Sequence, residues 1–98
     1  MKPQKNKILS LLKEITPILL EKYGVTRIGI FGSVARDDAS EESDVDIVYE
    51  MRRPNLFTVV HLKKELENTL HCTVDLVRHR ERMNPYLKKR IEREGVYV

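Results

Sequence analysis

The sequence contains one cysteine, Cys72, no tryptophan, and only four glycines and four prolines among its 98 residues. A single cysteine excludes an internal disulfide and favours a reducing, cytoplasmic setting. No apolar run approaches the roughly 18 residues that a membrane-spanning helix needs, and the lysine-rich start lacks the apolar stretch of a signal peptide. Repeats, low-complexity tracts and linkers are missing as well. We therefore expect one domain over residues 1–98, with no membrane among its partners.

Charged residues are abundant and are segregated along the chain. They make up 34% of the sequence against 41% hydrophobic residues, which predicts a thin core and chemistry on an open face rather than in a hollow cavity. Residues 37–50 contain seven acids and no base, whereas residues 78–93 contain seven bases and two acids. This pattern favours a cation site in the first segment and an anionic partner for the second. The basic segment is equally compatible with a solvated helix face.

Hydrophobic periodicity predicts an α/β fold in which a small mixed sheet of about three strands is flanked by helices. Helical spacing runs from Ile8 to Tyr23 and stops at Gly24, although Pro17 should kink this helix or make it restart with Thr16 as its cap. The remaining predicted elements are strands at 27–31, 44–50 and 73–77, a helical turn at 33–36, and helices at 56–70 and 85–94. The order is α-β-α-β-α-β-α. Alternation within 44–50 predicts a half-buried strand.

A candidate phosphate site follows the first predicted strand. Gly32 allows the backbone to approach a ligand closely, and the free N–H groups at the start of a helical turn bind phosphate oxygens. Ser33 adds a hydroxyl donor, and Arg36, one turn later, can reach the same anion.

A candidate metal site follows in Asp44 and Asp46, which are two residues apart and therefore project from the same face of a strand. Two carboxylates that close repel each other unless a cation lies between them, and hard oxygen ligands suit Mg²⁺. Ten residues separate Ser33 from Asp44, too few for a parallel crossover with a helix. The two strands should run antiparallel, so that the phosphate site and the carboxylates share one edge of the sheet.

Asp75 is the only charged residue in the apolar stretch at 73–77. A carboxylate in a central strand is costly unless it is paired with a metal or a base. A third metal ligand that also takes the proton from an attacking hydroxyl would explain its presence.

These motifs resemble the signature of the DNA polymerase beta superfamily of nucleotidyltransferases. The resemblance lies in Gly32-Ser33, Ala35-Arg36, the ten-residue gap and the run Ser43–Ile47, and with the third strand and the closing REGVYV it extends over nearly the whole chain. It is closest to the minimal, single-domain branch that is often encoded beside a HEPN-domain protein, which implies a palm-like nucleotidyltransferase core. In this family a glycine often follows the arginine, whereas this sequence has Asp37, so the tight turn after Arg36 is less assured.

The resemblance implies roles for individual residues. Gly32 and Ser33 would hold the triphosphate, Asp44 and Asp46 would bind two Mg²⁺ ions, and Asp75 would act as the base. It further implies ATP as the donor of AMP and, as the acceptor, a tyrosine hydroxyl on a cognate HEPN toxin. The chain would then be the antitoxin of the pair, in a hetero-oligomer or a homo-oligomer.

Three other functions compete with this hypothesis. An antitoxin that acts by binding alone would have no need of three clustered acids. A small-molecule nucleotidyltransferase of the aminoglycoside-resistance kind adds a domain to hold the drug, for which 98 residues leave no room. A nucleic-acid-binding module would depend only on the basic segment and would show a steep salt dependence, and we favour it least.

Overall fold

The computed structural model describes residues 2–98, in which helices and strands alternate. The helices are α1 (Lys5–Tyr23), α2 (Gly32–Ala35), α3 (Leu56–Leu70) and α4 (Pro85–Glu94), and the strands are β1 (Val25–Phe31), β2 (Val45–Met51), β3 (Val74–Arg78) and β4 (Val96–Tyr97). The α/β class and the order of the predicted elements are confirmed. No helix within residues 2–98 combines the length and the apolar character that crossing a membrane requires.

The helix ends follow the capping signals of the sequence. Gly24 ends α1 in the left-handed region (φ +71°), and the side chain of Asn55 caps α3 by accepting a hydrogen bond from the Phe57 N–H. Of the two effects predicted for Pro17, a kink or a restart of the helix, the restart is wrong, because α1 continues through Pro17 as one helix. The Thr16 hydroxyl donates to the Leu12 carbonyl at 2.7 Å, one turn back, and so does not cap a new helix.

The sheet has four strands in the order β3-β2-β1-β4. β1 and β2 pair antiparallel, as predicted, and the register places Phe31 opposite Asp46. β2 and β3 pair parallel through α3, which makes the sheet mixed. β4 was not predicted, because two residues are too few to show a period. It pairs antiparallel with β1 at Gly29 and Ile30.

The two faces of the sheet are covered to very different extents. On the first, which we call the closed face, α1 and α3 bury the larger apolar cluster against the sheet. Ile28, Ile30, Ile47, Leu62 and Leu66 are all 0% exposed there. This cluster forms the core of the fold.

On the second face, which we call the open face, α4 packs against the sheet. Its Ile91 lies with Phe31 and Val48 in a small buried cluster. Val48 is 0% exposed, so the prediction of a half-buried β2 is wrong in the middle of the strand, where α4 covers the second face. The same face of β2 also carries Asp46, beyond this cover.

Candidate active site

The turn from β1 into α2 depends on glycine at position 32. Gly32 has φ +75°, in the left-handed region that L side chains rarely adopt. A Cβ there would overlap the Oδ2 atom of Asp46 and would lie 3.2 Å from Nη2 of Arg90. The missing side chain therefore leaves a cradle in which a carboxylate and a guanidinium approach the backbone.

The backbone turn beyond α2 closes tightly despite the missing glycine. The N–H of Arg36 donates to the Gly32 carbonyl at 3.0 Å, and the N–H of Asp38 donates to the Ser33 carbonyl at 2.9 Å. Asp37 takes the left-handed conformation itself, with φ +65°. Aspartate tolerates this region better than most residues, so the turn forms where the sequence departs from the family pattern.

The candidate metal ligands lie side by side at the edge where β1 ends and β2 begins. Asp46 is the register partner of Phe31 on one side and of Asp75 on the other. Asp44 lies two residues earlier, immediately before β2, and is exposed, as is Asp75, whereas Asp46 is half-buried. The structure thus brings the carboxylates to the end of β1 at which Gly32 and Ser33 lie.

The environment of Asp46 disfavours its negative charge. Burial raises the pKa of this carboxyl above its usual range, and the neighbouring charges of Asp75 and Asp44 add to the effect. The guanidinium groups of Arg90 and Arg36 oppose it only in part. Mutual repulsion of this kind is relieved when a cation binds between the carboxylates.

The donor set fits Mg²⁺ when the substrate supplies part of the coordination. As placed in residues 2–98, no three His, Cys, Asp or Glu side chains converge closely enough to hold a metal ion by themselves. Mg²⁺ does not need such a cage, because it typically takes one or two carboxylates, several waters and substrate phosphates. Asp46 supplies a carboxylate oxygen at the Gly32 cradle, and Asp44 precedes it by two residues at the same end of β2, so both are available to an ion that a phosphate also binds.

The prediction that Asp75 lies in a central strand is wrong. β3 is an edge strand, and Asp75 is exposed, so its carboxylate carries no large burial cost. The sequence alone does not tell an edge strand from a central one, and the apolar neighbours Val74 and Leu76 suggested the latter. The register with Asp46 is now what links Asp75 to the site.

One residue at the centre of this region, Glu94, was assigned no role from the sequence, where it belongs to the closing REGVYV. Its Oε1 atom accepts hydrogen bonds from the Gly32 N–H at 3.2 Å, from Nη1 of Arg36 at 3.0 Å and from Nε of Arg90 at 3.3 Å. Burial raises the pKa of Glu94, but the hydrogen bond from Arg36, the charges of Arg36 and Arg90 and the hydrogen bond from the Gly32 N–H outweigh burial, so that the pKa lies below its usual value. An acid in the last turn of a helix, unfavourable for the helix dipole, was the available signal.

Comparison with known proteins identifies the fold as that of a nucleotide-transfer domain. Residues 13–98 match the family described as "Polymerase beta, Nucleotidyltransferase". A Methanocaldococcus jannaschii protein, provisionally named a protein adenylyltransferase, is 41% identical over 97 residues, which cover 94% of this chain and 99% of its own. The protein adenylyltransferase MntA of Thermococcus cleftensis is 41% identical over 81 residues, covering 82% of this chain and 81% of its own. The chain belongs to the polymerase beta nucleotidyltransferase family and is an enzyme of that class.

Solved structures share the fold. One, provisionally described as a minimal nucleotidyltransferase, has a TM-score of 0.78 at 28% identity and covers 95% of this chain and 94% of its own. A toxin–antitoxin structure with AMP-PNP has a TM-score of 0.67 at 26% identity, with 95% and 70% covered. A complex of a tri-AMPylated HEPN toxin of Shewanella oneidensis with an MNT antitoxin has a TM-score of 0.58 at 26% identity, with 95% and 66% covered. The neighbours of this fold thus include antitoxins in complex with their toxins.

Proposed function

We propose that the chain transfers AMP from ATP to a hydroxyl group on a partner protein, namely a tyrosine of a cognate HEPN toxin. The observation that carries this proposal is the register of the sheet. Asp46 lies opposite Asp75 and at the same time against the Gly32 turn, so that carboxylates and anion-binding donors meet at one edge. Transfer of a nucleotidyl group requires both kinds of group within reach of one substrate.

Each group of residues has a separate task in this proposal. The N–H of Gly32, the hydroxyl of Ser33 and the guanidinium of Arg36 bind the phosphates. Asp44 and Asp46 would hold Mg²⁺, as two ions, which supplies charge neutralisation at the phosphates and activation of the acceptor oxygen. The role of Ser33 and the number of Mg²⁺ ions follow from the resemblance. The position of Ser33 next to the Gly32 cradle supports its role.

The reaction balances with groups of this chain and its two substrates. Asp75 takes the proton of the acceptor hydroxyl, and the oxygen of that hydroxyl forms a bond to the α-phosphorus of ATP. The bond between the α-phosphorus and the oxygen that bridges to the β-phosphate breaks, and pyrophosphate leaves. Because Asp75 is exposed at the edge of the sheet, a hydroxyl presented by another protein can reach it from solvent.

The proposal of a HEPN partner rests on relatives rather than on a contact within this chain. The Thermococcus cleftensis relative is named a protein adenylyltransferase, and the Shewanella oneidensis complex pairs an MNT antitoxin with a tri-AMPylated HEPN toxin. We infer a hetero-oligomer with a HEPN protein in the cytoplasm, in which the basic segment 78–93 helps to dock the partner. The acceptor would then be brought to the open face by the partner itself.

The test is a transfer assay with a HEPN-domain protein as the acceptor. Incubation with ATP and Mg²⁺ should add one or more AMP groups, about 329 Da each, to the partner, as transfer of the α-phosphate requires. The Asp75→Asn variant should bind the partner normally and modify it at least about 100-fold more slowly, because only the proton acceptor is lost.

The control is Asp37→Asn, which makes the same chemical change on an exposed loop residue and should keep full activity. If the Asp75→Asn variant neutralised the toxin as well as the unmodified chain did, with no mass shift in either case, the chain would act by binding alone. The proposed transfer to a protein would then be wrong.

A further inference from the structure

Glu94 is bound as a phosphate oxygen would be. A backbone N–H and two guanidinium groups donate to one of its oxygens, at distances of 3.0 to 3.3 Å. Its side chain is only 12% exposed, while those of Arg36 and Arg90 are 41% and 42% exposed. Charged donors of this kind bind carboxylates and phosphates through the same geometry, so the donors themselves do not distinguish the two anions.

Helix α4 by itself does not favour a carboxylate at the position of Glu94. Glu94 is the last residue of α4, where the carbonyl ends of the helix repel a negative charge. Its carboxylate is held there by the Gly32 N–H of the β1–α2 turn, by Arg36 immediately after α2, and by Arg90, one turn back on α4. The side chain therefore marks an anion-binding position of this turn.

From this we infer that Glu94 occupies, in the nucleotide-free protein, the position of a phosphate oxygen of the nucleotide, and that Arg90 is a further phosphate-binding residue. ATP displaces the Glu94 carboxylate and takes over its three donors. This inference rests on the proposed function, since it assumes that the Gly32 turn binds a polyphosphate. It adds two features to the site, namely Glu94 as an intramolecular competitor of the nucleotide and Arg90 on α4 as a further binding residue.

The arginines are held in place independently of Glu94, so the site survives when that carboxylate leaves. Nε of Arg36 also donates to Asp38 at 3.1 Å. The guanidinium of Arg90 lies 5.6 Å from the centre of the Phe31 ring, and Phe31 is itself buried. Glu94 has three rotatable side-chain bonds and precedes Gly95, so a rotamer change alone can release it. A triphosphate, with more negative charge than one carboxylate, is the stronger ligand for two arginines.

The opposing interpretation is that Glu94 stays in place and holds the arginines while ATP is bound. Calorimetric titration of ATP with Mg²⁺, and separately of tripolyphosphate without metal, distinguishes the two. A competitor reduces the apparent affinity by the fraction of molecules in which the site is open. Glu94→Gln, which keeps the shape and removes the charge, should therefore bind both ligands about 3- to 10-fold more tightly.

Arg90→Met should bind both ligands at least about tenfold more weakly, as expected for a lost charged hydrogen bond. Glu92→Gln and Arg93→Met make the same changes at exposed positions of the same helix and should leave both affinities within about twofold. Arg90→Lys, which retains the charge, should lose less affinity than Arg90→Met. It also serves if the methionine variant fails to fold.

Unchanged or weaker binding by Glu94→Gln would overturn the inference, as would the absence of polyphosphate binding in every variant. Transfer of AMP to the partner is measured in the same preparations, so the two proposals fail separately. Transfer with no effect of Glu94→Gln on binding would refute only the competitor. Tighter polyphosphate binding by Glu94→Gln without any transfer would refute only the proposed reaction.

Discussion

The closed and open faces of the sheet differ in the side chains that they carry and in how far these are buried. On the closed face, α1 and α3 cover alternating side chains of β1 and β2 with aliphatic residues that are almost completely buried. On the open face, α4 buries one small cluster around Phe31, Val48 and Ile91, and the rest of that face carries carboxylates and arginines. Successive residues of a single strand, such as Asp46 and Ile47, therefore belong to different environments.

This division separates stability from chemistry. The larger apolar cluster lies on the closed face, so burial there supplies the larger share of the hydrophobic stabilisation, at roughly 25 cal/mol per Å² of apolar area. The open face brings together like charges that the fold does not need for its stability. We therefore expect substitutions on the closed face to lower stability and substitutions on the open face to lower activity. Each of the following predictions tests this separation.

The largest effect is expected from Asp44→Asn on the open face. If this carboxylate helps to hold Mg²⁺, its loss should reduce AMP transfer by at least about 1000-fold, equivalent to roughly 4 kcal/mol of transition-state stabilisation. The melting temperature should not fall, because Asp44 is exposed and supports no part of the core. Steady-state transfer rates and thermal melts check both statements. A variant that retained most of its activity would remove Asp44 from the metal site.

Leu66→Ala, on the closed face, should give the reverse result. Leu66 is 0% exposed in the main core, and deletion of a buried leucine side chain costs about 2–5 kcal/mol of unfolding free energy. Denaturant melts should show this loss, while the specific activity of the folded fraction stays within about twofold. Leu56→Ala is the matched control on the same helix, where the side chain is 76% exposed and should cost less than about 0.5 kcal/mol. A selective loss of activity in Leu66→Ala would contradict the separation of the two faces.

The closed face could be predicted from the sequence in more detail than the open face. Leu62, Leu66 and Leu70 show the helical period that defines α3, and Gly24 gives the end of α1. The antiparallel pairing of β1 with β2 could be predicted from the length of the segment that connects them, because ten residues are too few for a helical crossover. Periods, caps and loop lengths are local properties, so the sequence contains them directly.

The open face depends on pairings between distant residues, which a single sequence does not display. Nothing local marks β3 as an edge strand, and nothing local joins Glu94 to Gly32, which lies 62 residues away. The residues Gly32, Asp44 and Asp46 could be named because they form a compact motif with characteristic spacing. The unfavourable position of Glu94 in the last turn of its helix can be noticed in the sequence, but the role of Arg90 and Glu94 cannot, because it depends on where α4 packs on the sheet.

A smaller effect on activity is expected from Ser33→Ala. The hydroxyl of this half-buried residue is predicted to donate one hydrogen bond to a charged phosphate, worth about 1.5–3 kcal/mol. Transfer should fall by about one to two orders of magnitude, less than for Asp44→Asn, with no change in the melting temperature. Ser10→Ala, at an exposed position of α1, is the matched control. Equal activity of Ser33→Ala and the unmodified chain would place this hydroxyl outside the site.

The smallest effect concerns the charge of Asp46 on the open face. Burial, with the charges of Asp75 and Asp44, raises the pKa of this carboxyl in the folded protein, so the folded state binds protons more readily than the unfolded state. Stability without metal should decrease as the pH rises through the interval between the unfolded and folded pKa values, and the loss should be complete above the folded pKa.

Asp46→Asn should therefore be more stable than the unmodified chain at pH 7, by less than about 1 kcal/mol because the group is partly exposed. The difference should vanish below the unfolded pKa, where the carboxyl is protonated in both states. Asp37→Asn, on the exposed loop, should show no such gain. Addition of Mg²⁺ should raise the melting temperature of the unmodified chain and not that of Asp46→Asn, because a bound cation removes the repulsion that the variant lacks. Loss of stability in Asp46→Asn at pH 7 would mean that this carboxylate supports the fold, and the open face would then contribute to stability as the closed face does.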